Sequence, residues 1–239
     1  MSKNHRSTCR LLHYTAERAV SCLDALHRSR YPLSGKSKIA NKLHFVFMGD
    51  SRIRQQFYNF LRLIPDHDRR SNPSPIPLIY HGDIEVSSEI LRLRVSFKWR
   101  PLVDDNVTET LRHWAISDRN EQPDLILFSM ALWHIVQIHS TEEYLLYLKR
   151  LKELGLILNQ LSNFSEIIWL NQYPTAQFYG GMPYGGANDS DIIVSDKLYH
   201  YNEDIRHILE LVDEIGTVAG CEYGIPAIQW QRNTFALAH

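Results

Sequence analysis

Residues 45–60, FVFMGDSRIRQQFYNF, set an acid, a serine and two arginines at the junction of an apolar run and an amphipathic one. The run 43–48 ends at Gly49, as a strand buried on both faces would, and Ile53, Phe57, Phe60 and Leu61 follow at helical spacing. Ser51 therefore falls on a strand-to-helix turn, with its hydroxyl lifted clear of a sheet. The amides after it, at the helix N-terminus, are expected to face any oxyanion formed when that hydroxyl attacks an acyl carbon. Arg52 and Arg54 occupy the first helical turn, where the partial positive charge of a helix start makes cations locally unfavourable. Arg54 is three residues from Ser51 and shares its helix face. The arginines thus await a negative charge, whether of a ligand, a carboxylate or a transition state. A serine N-cap followed by a surface arginine would produce the same letters, so the turn alone leaves both readings open.

The other candidates carry less context. His134 follows Trp133 just after the apolar run 123–130, where a buried, hydrogen-bonded structural histidine is the expected role. Asp204 and His207 form an Asp-x-x-His pair inside a helical run. Ile205, Ile208 and Leu209 take the buried face there, which assigns Asp204 and His207 to a solvated exterior. Cys9, Cys22 and Cys221 have no zinc spacing, and neither H-E-x-x-H nor G-x-x-x-x-G-K-[ST] occurs, so no metal site is expected. A net charge of -1 with scattered basic residues argues against a nucleic-acid surface.

These residues need elements to hold them. Residues 1–40 read as a basic, partly helical segment, and 41–239 as one domain. Apolar strands are expected at 43–48, 123–130 and 165–174, a half-exposed alternating strand at 89–99, and a weak last strand at 225–230. Helices are expected after Ser51, over TETLRHWAI, from Ser140 or Thr141 as N-cap, and over VSDKLYHYNEDIRHILELVDEIG. The three-proline stretch 71–79 and the glycine-rich 173–191 read as loops. Strands alternating with helices predict an α/β fold, a three-layer α/β/α sandwich around a mostly parallel sheet. Ligands in such sheets sit beyond the carboxyl ends of the strands. That edge would collect Asp50 and Ser51, Ser129 to His134 with Trp133, and Asn171 to Pro174.

The block FMGDSRIRQQFYNF resembles the first motif of the SGNH/PC-esterase superfamily, most closely that of the sialic acid O-acetyltransferases. RVSFKWRPLV (94–103), residues 111–133, EIIWLNQYP (166–174) and SDKLYHYNEDIRHIL (195–209) resemble later segments of that family's luminal catalytic domain, in the same order. The resemblance implies that Ser51 is the nucleophile of a Ser-His-Asp triad in the Golgi lumen. It also implies acetyl-CoA as acyl donor and a glycan or sugar-nucleotide acceptor. Two departures are visible: Ser129 stands where the family has glycine, and the family's D-x-x-H loop follows the last strand, whereas Asp204 and His207 precede it. The family's multi-span membrane domain and signal anchor have no counterpart in these 239 residues. The expectation is a catalytic-domain-like piece or short isoform, soluble by sequence, whose general base is missing. A silent carbohydrate-binding or regulatory module and a glycan O-acyl hydrolase are the alternatives.

Overall fold

Seven consecutive buried residues, Leu43–Gly49, form β1, around which the sheet is built. The computed structural model describes residues 15–31, 42–67, 81–130, 132–170, 200–205, 207, 216–220 and 226–228. β1 lies between β3 (Leu93–Trp99) and β4 (Leu125–Ser129), both parallel to it. β5 (Glu166–Leu170) and β6 (Gly216–Gly220) continue the parallel set beyond β4. Antiparallel strands close both margins, β2 (Ile84–Ser88) against β3 and β7 (Pro226–Ile228) against β6. The order is β2-β3-β1-β4-β5-β6-β7. Interior parallel strands are covered on both faces, which is why β1, β4 and β5 read as unbroken apolar runs.

Alternation along β1 separates two cores. Phe45 and Phe47 join Ile53, Phe57 and Leu61 of α2 (Ser51–Leu61) and Leu23 of α1 (Ala16–Arg30) on one face. On the other, Val46 and Met48 meet α3 (Asp105–Ile116) and α5 (Thr141–Ser162) through Leu111, Trp114, Leu151 and Leu158. The three-layer α/β arrangement expected from the sequence is the one found. The start of α5 is held by a capping box: Ser140 Oγ accepts from the Glu143 amide at 3.2 Å, and Glu143 Oε2 from the Ser140 amide at 3.1 Å. No described helix is long and apolar enough to cross a membrane.

The amino edge of the sheet carries a polar network in which, among the described residues, Arg119 Nη1 is left without a partner. Arg94 Nη2 lies 2.8 Å from His44 Nδ1, and because a guanidinium only donates, Nδ1 is the acceptor and Nε2 carries the proton. That Nε2 is 3.0 Å from Ser96 Oγ, which in turn donates to Glu85 Oε2 at 3.0 Å. Burial, with the charges of Arg94 and Lys98, pushes the His44 pKa down to about 3. One residue pair across, Asp124 Oδ2 accepts the His44 amide at 2.9 Å, and its Oδ1 accepts from Arg119 at 3.0 Å and faces Arg30 of α1 at 3.6 Å.

Several elements differ from expectation. Residues 89–99 are not one half-exposed strand: 89–92 turn, with Arg92 at φ 51, and β3 starts at Leu93. Ser96 is as buried as Val95 and Phe97, because His44 and Glu85 satisfy its hydroxyl. β2 and β6 were not foreseen. Trp133 and His134 sit on a short helix, α4 (Leu132–Gln137), instead of at a strand end. The stretch 71–79 and the loop 173–191 lie outside the described residues.

Candidate functional site

At the carboxyl edge Gly49 lies in register with Trp99 on one side and Ser129 on the other. A Cβ on Gly49 would stand 2.3 Å from the Ser129 carbonyl oxygen and 2.9 Å from Ile53 Cγ1. Only glycine lets β1 end this close to β4 and turn directly into α2.

Asp50, not Ser51, caps that helix: its Oδ1 accepts from the Arg52 amide at 2.9 Å. Asp50 is completely buried and its Oδ2 has no partner among the described residues. Burial raises its carboxyl pKa, against the pull of the Arg52 amide, the Arg52 charge and the Ile53 amide. The serine-cap reading therefore falls. Ser51 is the first helical residue, half-buried, and no described side chain hydrogen-bonds its hydroxyl. Capping also corrects the expected oxyanion donors. The Arg52 amide is spent on Asp50 Oδ1 and the Arg54 amide on the Asp50 carbonyl at 3.0 Å, and the Ile53 amide also acts on the Asp50 carboxyl.

The two arginines part company. Arg52 is buried, and its charge pulls against the burial that raises the Asp50 pKa. Arg54 lies with its guanidinium carbon 5.7 Å from the centre of the Trp99 ring, a cation–π arrangement at the sheet edge. Trp99 in turn meets Trp133 nearly at right angles, ring centres 6.3 Å apart, and the His81 ring lies 4.6 Å from it on another side. Trp133 thus stands on the same sheet edge as Ser51. Trp99 and His81 were missed. Both depend on the β2–β3 hairpin, which carries the residues before β2 to the edge where β3 ends; the one available signal was a Trp-Arg pair directly after an alternating run. Asp83 fixes this corner, with Oδ1 accepting from the Trp99 amide at 2.9 Å and from Arg100 Nη1 at 2.9 Å, and Oδ2 from Lys98 at 3.1 Å.

The histidine candidates resolve differently. His134 Nε2 accepts the Val103 amide at 2.7 Å, and burial, aided by the Arg150 charge, lowers its pKa to about 4. Its basic nitrogen is engaged, in keeping with a structural histidine. Asp204 is half-buried and accepts from the Tyr144 hydroxyl, so the exterior placement expected for it is wrong; Tyr144 of α5 pulls that helical turn onto the sheet's second face. His207 is exposed, and no hydrogen bond joins it to Asp204. Asn171 lies outside the described residues. Among the described residues no cluster of three His, Cys, Asp or Glu side chains suited to a metal occurs.

No protein-family model matches the chain. Over 133 residues, 54% of its length, the chain is 30% identical to the N-acetylneuraminate (7)9-O-acetyltransferase of Danio rerio. The matched stretch is 16% of that much longer protein, so the similarity concerns one part of the relative.

Proposed function

We propose that Ser51 is the nucleophile of an acyl-transfer site that moves an acetyl group to a sugar hydroxyl through a serine acyl-enzyme, within a domain spanning residues 41–239. One observation carries the reading: Asp50 takes the cap of α2, and the Ser51 hydroxyl, at the carboxyl edge of the sheet, has no hydrogen-bond partner among the described residues. In the acylation step Ser51 Oγ bonds to the acetyl carbonyl carbon while its proton passes to a base. The carbonyl electron pair moves onto oxygen, where the Ser51 amide and the Arg54 guanidinium oppose the charge. Collapse expels the donor's thiolate, for which coenzyme A is the expected carrier. The sugar hydroxyl then attacks the acyl-serine, returns a proton to Ser51 Oγ and leaves as the acetyl ester. Arg52 holds Asp50 and supports the turn. A Golgi-lumen setting accompanies this reading by resemblance alone.

A second reading, a silent carbohydrate-binding module on the same fold, is favoured by a different observation. Among the described residues the histidine buried at this edge, His134, has its Nε2 committed to Val103, and no described imidazole bonds Ser51. Intact-mass measurement after exposure to acetyl-CoA or an activated acetyl ester separates the two. A single acetyl on wild type that disappears in Ser51→Ala is the expected result. Absence of labelling with either reagent overturns the nucleophile and leaves the silent module.

A further inference from the structure

α4 is six residues long, too short to hold its shape without tertiary support. Part of that support comes from one side chain. His134 is buried, and its Nε2 accepts the amide of Val103, a buried residue on the connector between β3 and α3. Three residues back on that connector, the Arg100 amide donates to the Gly49 carbonyl at 3.0 Å, beside the turn that carries Ser51. Trp99 and Trp133, the neighbours of Arg100 and His134 in the chain, meet with ring centres 6.3 Å apart. Two contacts, one polar and one aromatic, thus join α4 to the end of β3 and its connector, and the connector is tied to the Ser51 turn.

We infer that His134 is a positioning residue: its imidazole latches α4 to the connector 100–103, and through Arg100 and Gly49 the latch sets the Ser51 turn. The consequence for acyl transfer rests on the reading of Ser51 as nucleophile, whereas the latch itself does not. Protonation state governs it. Nε2 accepts an amide only while it lacks a proton, so the neutral ring carries its hydrogen on Nδ1. A proton on Nε2 would set two donors face to face. No described carboxylate bonds the imidazole to offset the charge: Asp104 caps α3, Asp83 is bonded to Arg100, and Asp204 accepts from Tyr144. Tyr147 of α5, with ring centres 4.3 Å away, is buried with its hydroxyl unpaired among the described residues. Burial, and then the Arg150 charge on the same helix, lower the His134 pKa to about 4. The latch is therefore closed near neutrality and opens as pH falls through that value.

His134→Gln and His134→Leu separate the latch from the filling of space. The glutamine oxygen takes the place of Nε2 and accepts without titrating, whereas leucine leaves the buried Val103 N–H unmet. Amide hydrogen exchange in the full chain, with the β1 amides as reference for global opening, reads the latch at Val103 and its reach at Arg100. Protection of both amides should fall at least tenfold in His134→Leu and stay within about threefold of wild type in His134→Gln. Between pH 7 and pH 4 wild type should lose protection at Val103 relative to β1, and His134→Gln should not. Acylation of Ser51 by 4-nitrophenyl acetate should slow roughly ten- to a hundredfold in His134→Leu and recover in His134→Gln. Unchanged protection in His134→Leu, equal loss in both variants, or an acid loss that persists in His134→Gln overturns the latch. If His134→Leu does not fold, the acid series of wild type against His134→Gln decides. Equal acylation in all three proteins overturns the positioning of Ser51. A wild type that is never acylated removes the nucleophile, and the exchange data still judge the latch.

Discussion

The two ends of the mostly parallel sheet differ in how they handle polar groups, although each leaves a buried atom unmet among the described residues, Arg119 Nη1 at one and Asp50 Oδ2 at the other. At the amino edge, the His44 ring engages both of its nitrogens and Asp124 both of its oxygens. At the carboxyl edge Asp50 Oδ2 lacks a partner among the described residues, the Ser51 hydroxyl has none there, and two indoles are half in water. A buried polar group left unmade costs more than a made one contributes. Groups met in this way are what a fold retains for stability. A histidine beside a serine is consequently poor grounds for catalysis by itself. His44 and Ser96 are hydrogen-bonded, yet Arg94 fixes the tautomer in which His44 donates, so the imidazole is unable to take the serine proton.

Acid should produce the largest effect. His44 and His134 have folded pKa values of about 3 and about 4, below the 6.5 of an unperturbed histidine. Between these limits the unfolded chain binds more protons than the folded one. The stability from the two neutral rings is fully present above pH 6.5 and is lost as pH falls through 4 toward 3. The loss should amount to several kcal/mol, on the order of one per pKa unit. Thermal melts from pH 7 to pH 4 check it, and His134→Asn should flatten the upper part of that decline. A melting temperature constant over this range would show that the rings titrate normally and that the network is looser than described.

Next in size is Asp124→Ala. It strips the His44 amide and Arg119 of an acceptor that is 3% exposed, and it releases Arg30 of α1. Leaving a buried donor and a partner charge unmet should cost about 3 kcal/mol. Urea denaturation reads this, and a change under 1 kcal/mol would make the amino edge no more essential than the surface.

Arg54→Ala tests the carboxyl edge by the opposite criterion. Acylation of Ser51 should slow by roughly ten- to a thousand-fold, the range for losing one donor to an oxyanion. The cation–π contact with Trp99 that the change removes contributes about 0.5–1 kcal/mol at a partly exposed site, so the loss of rate should far exceed that part of the stability loss. Unchanged acylation would reduce Arg54 to packing on Trp99.

How much of this was legible in the sequence follows from the same physics. β1, β4 and β5 announce themselves because burial on two faces leaves no room for polar residues. β2, an edge strand with Glu85 and Ser87 exposed, and β6, Gly-Thr-Val-Ala-Gly, carry no such pattern and exist through pairing with β3 and β5. The strand-to-helix turn at Gly49–Ser51 was readable, as was the position of Trp133 on the same edge. Which of Asp50 and Ser51 caps α2 was not, since both are good N-caps and only the backbone decides between them. The Asp204–Tyr144 bond joins residues 60 apart, beyond the reach of any helical spacing argument.

The smallest effect sharpens the contrast most. Asp50 is as buried as Asp124, but only one of its oxygens is used among the described residues, in a cap that an amide oxygen serves equally well. Asp50→Asn should therefore change stability by less than about 1 kcal/mol, against the larger loss expected for Asp124→Ala. Its pH dependence carries a sign. Burial raises the folded pKa of Asp50, so its contribution is fully present below the unfolded value of about 3.9 and is lost as pH rises through the folded value. Asparagine does not ionise, so the variant should gain on wild type as pH climbs from 4 toward neutrality, the reverse of the histidine trend. Paired urea titrations of the two proteins at several pH values would show the gap opening in that direction. A gap that opened the other way would mean that the Asp50 carboxylate is held charged by a partner, and that the carboxyl edge meets its polar groups as the amino edge does.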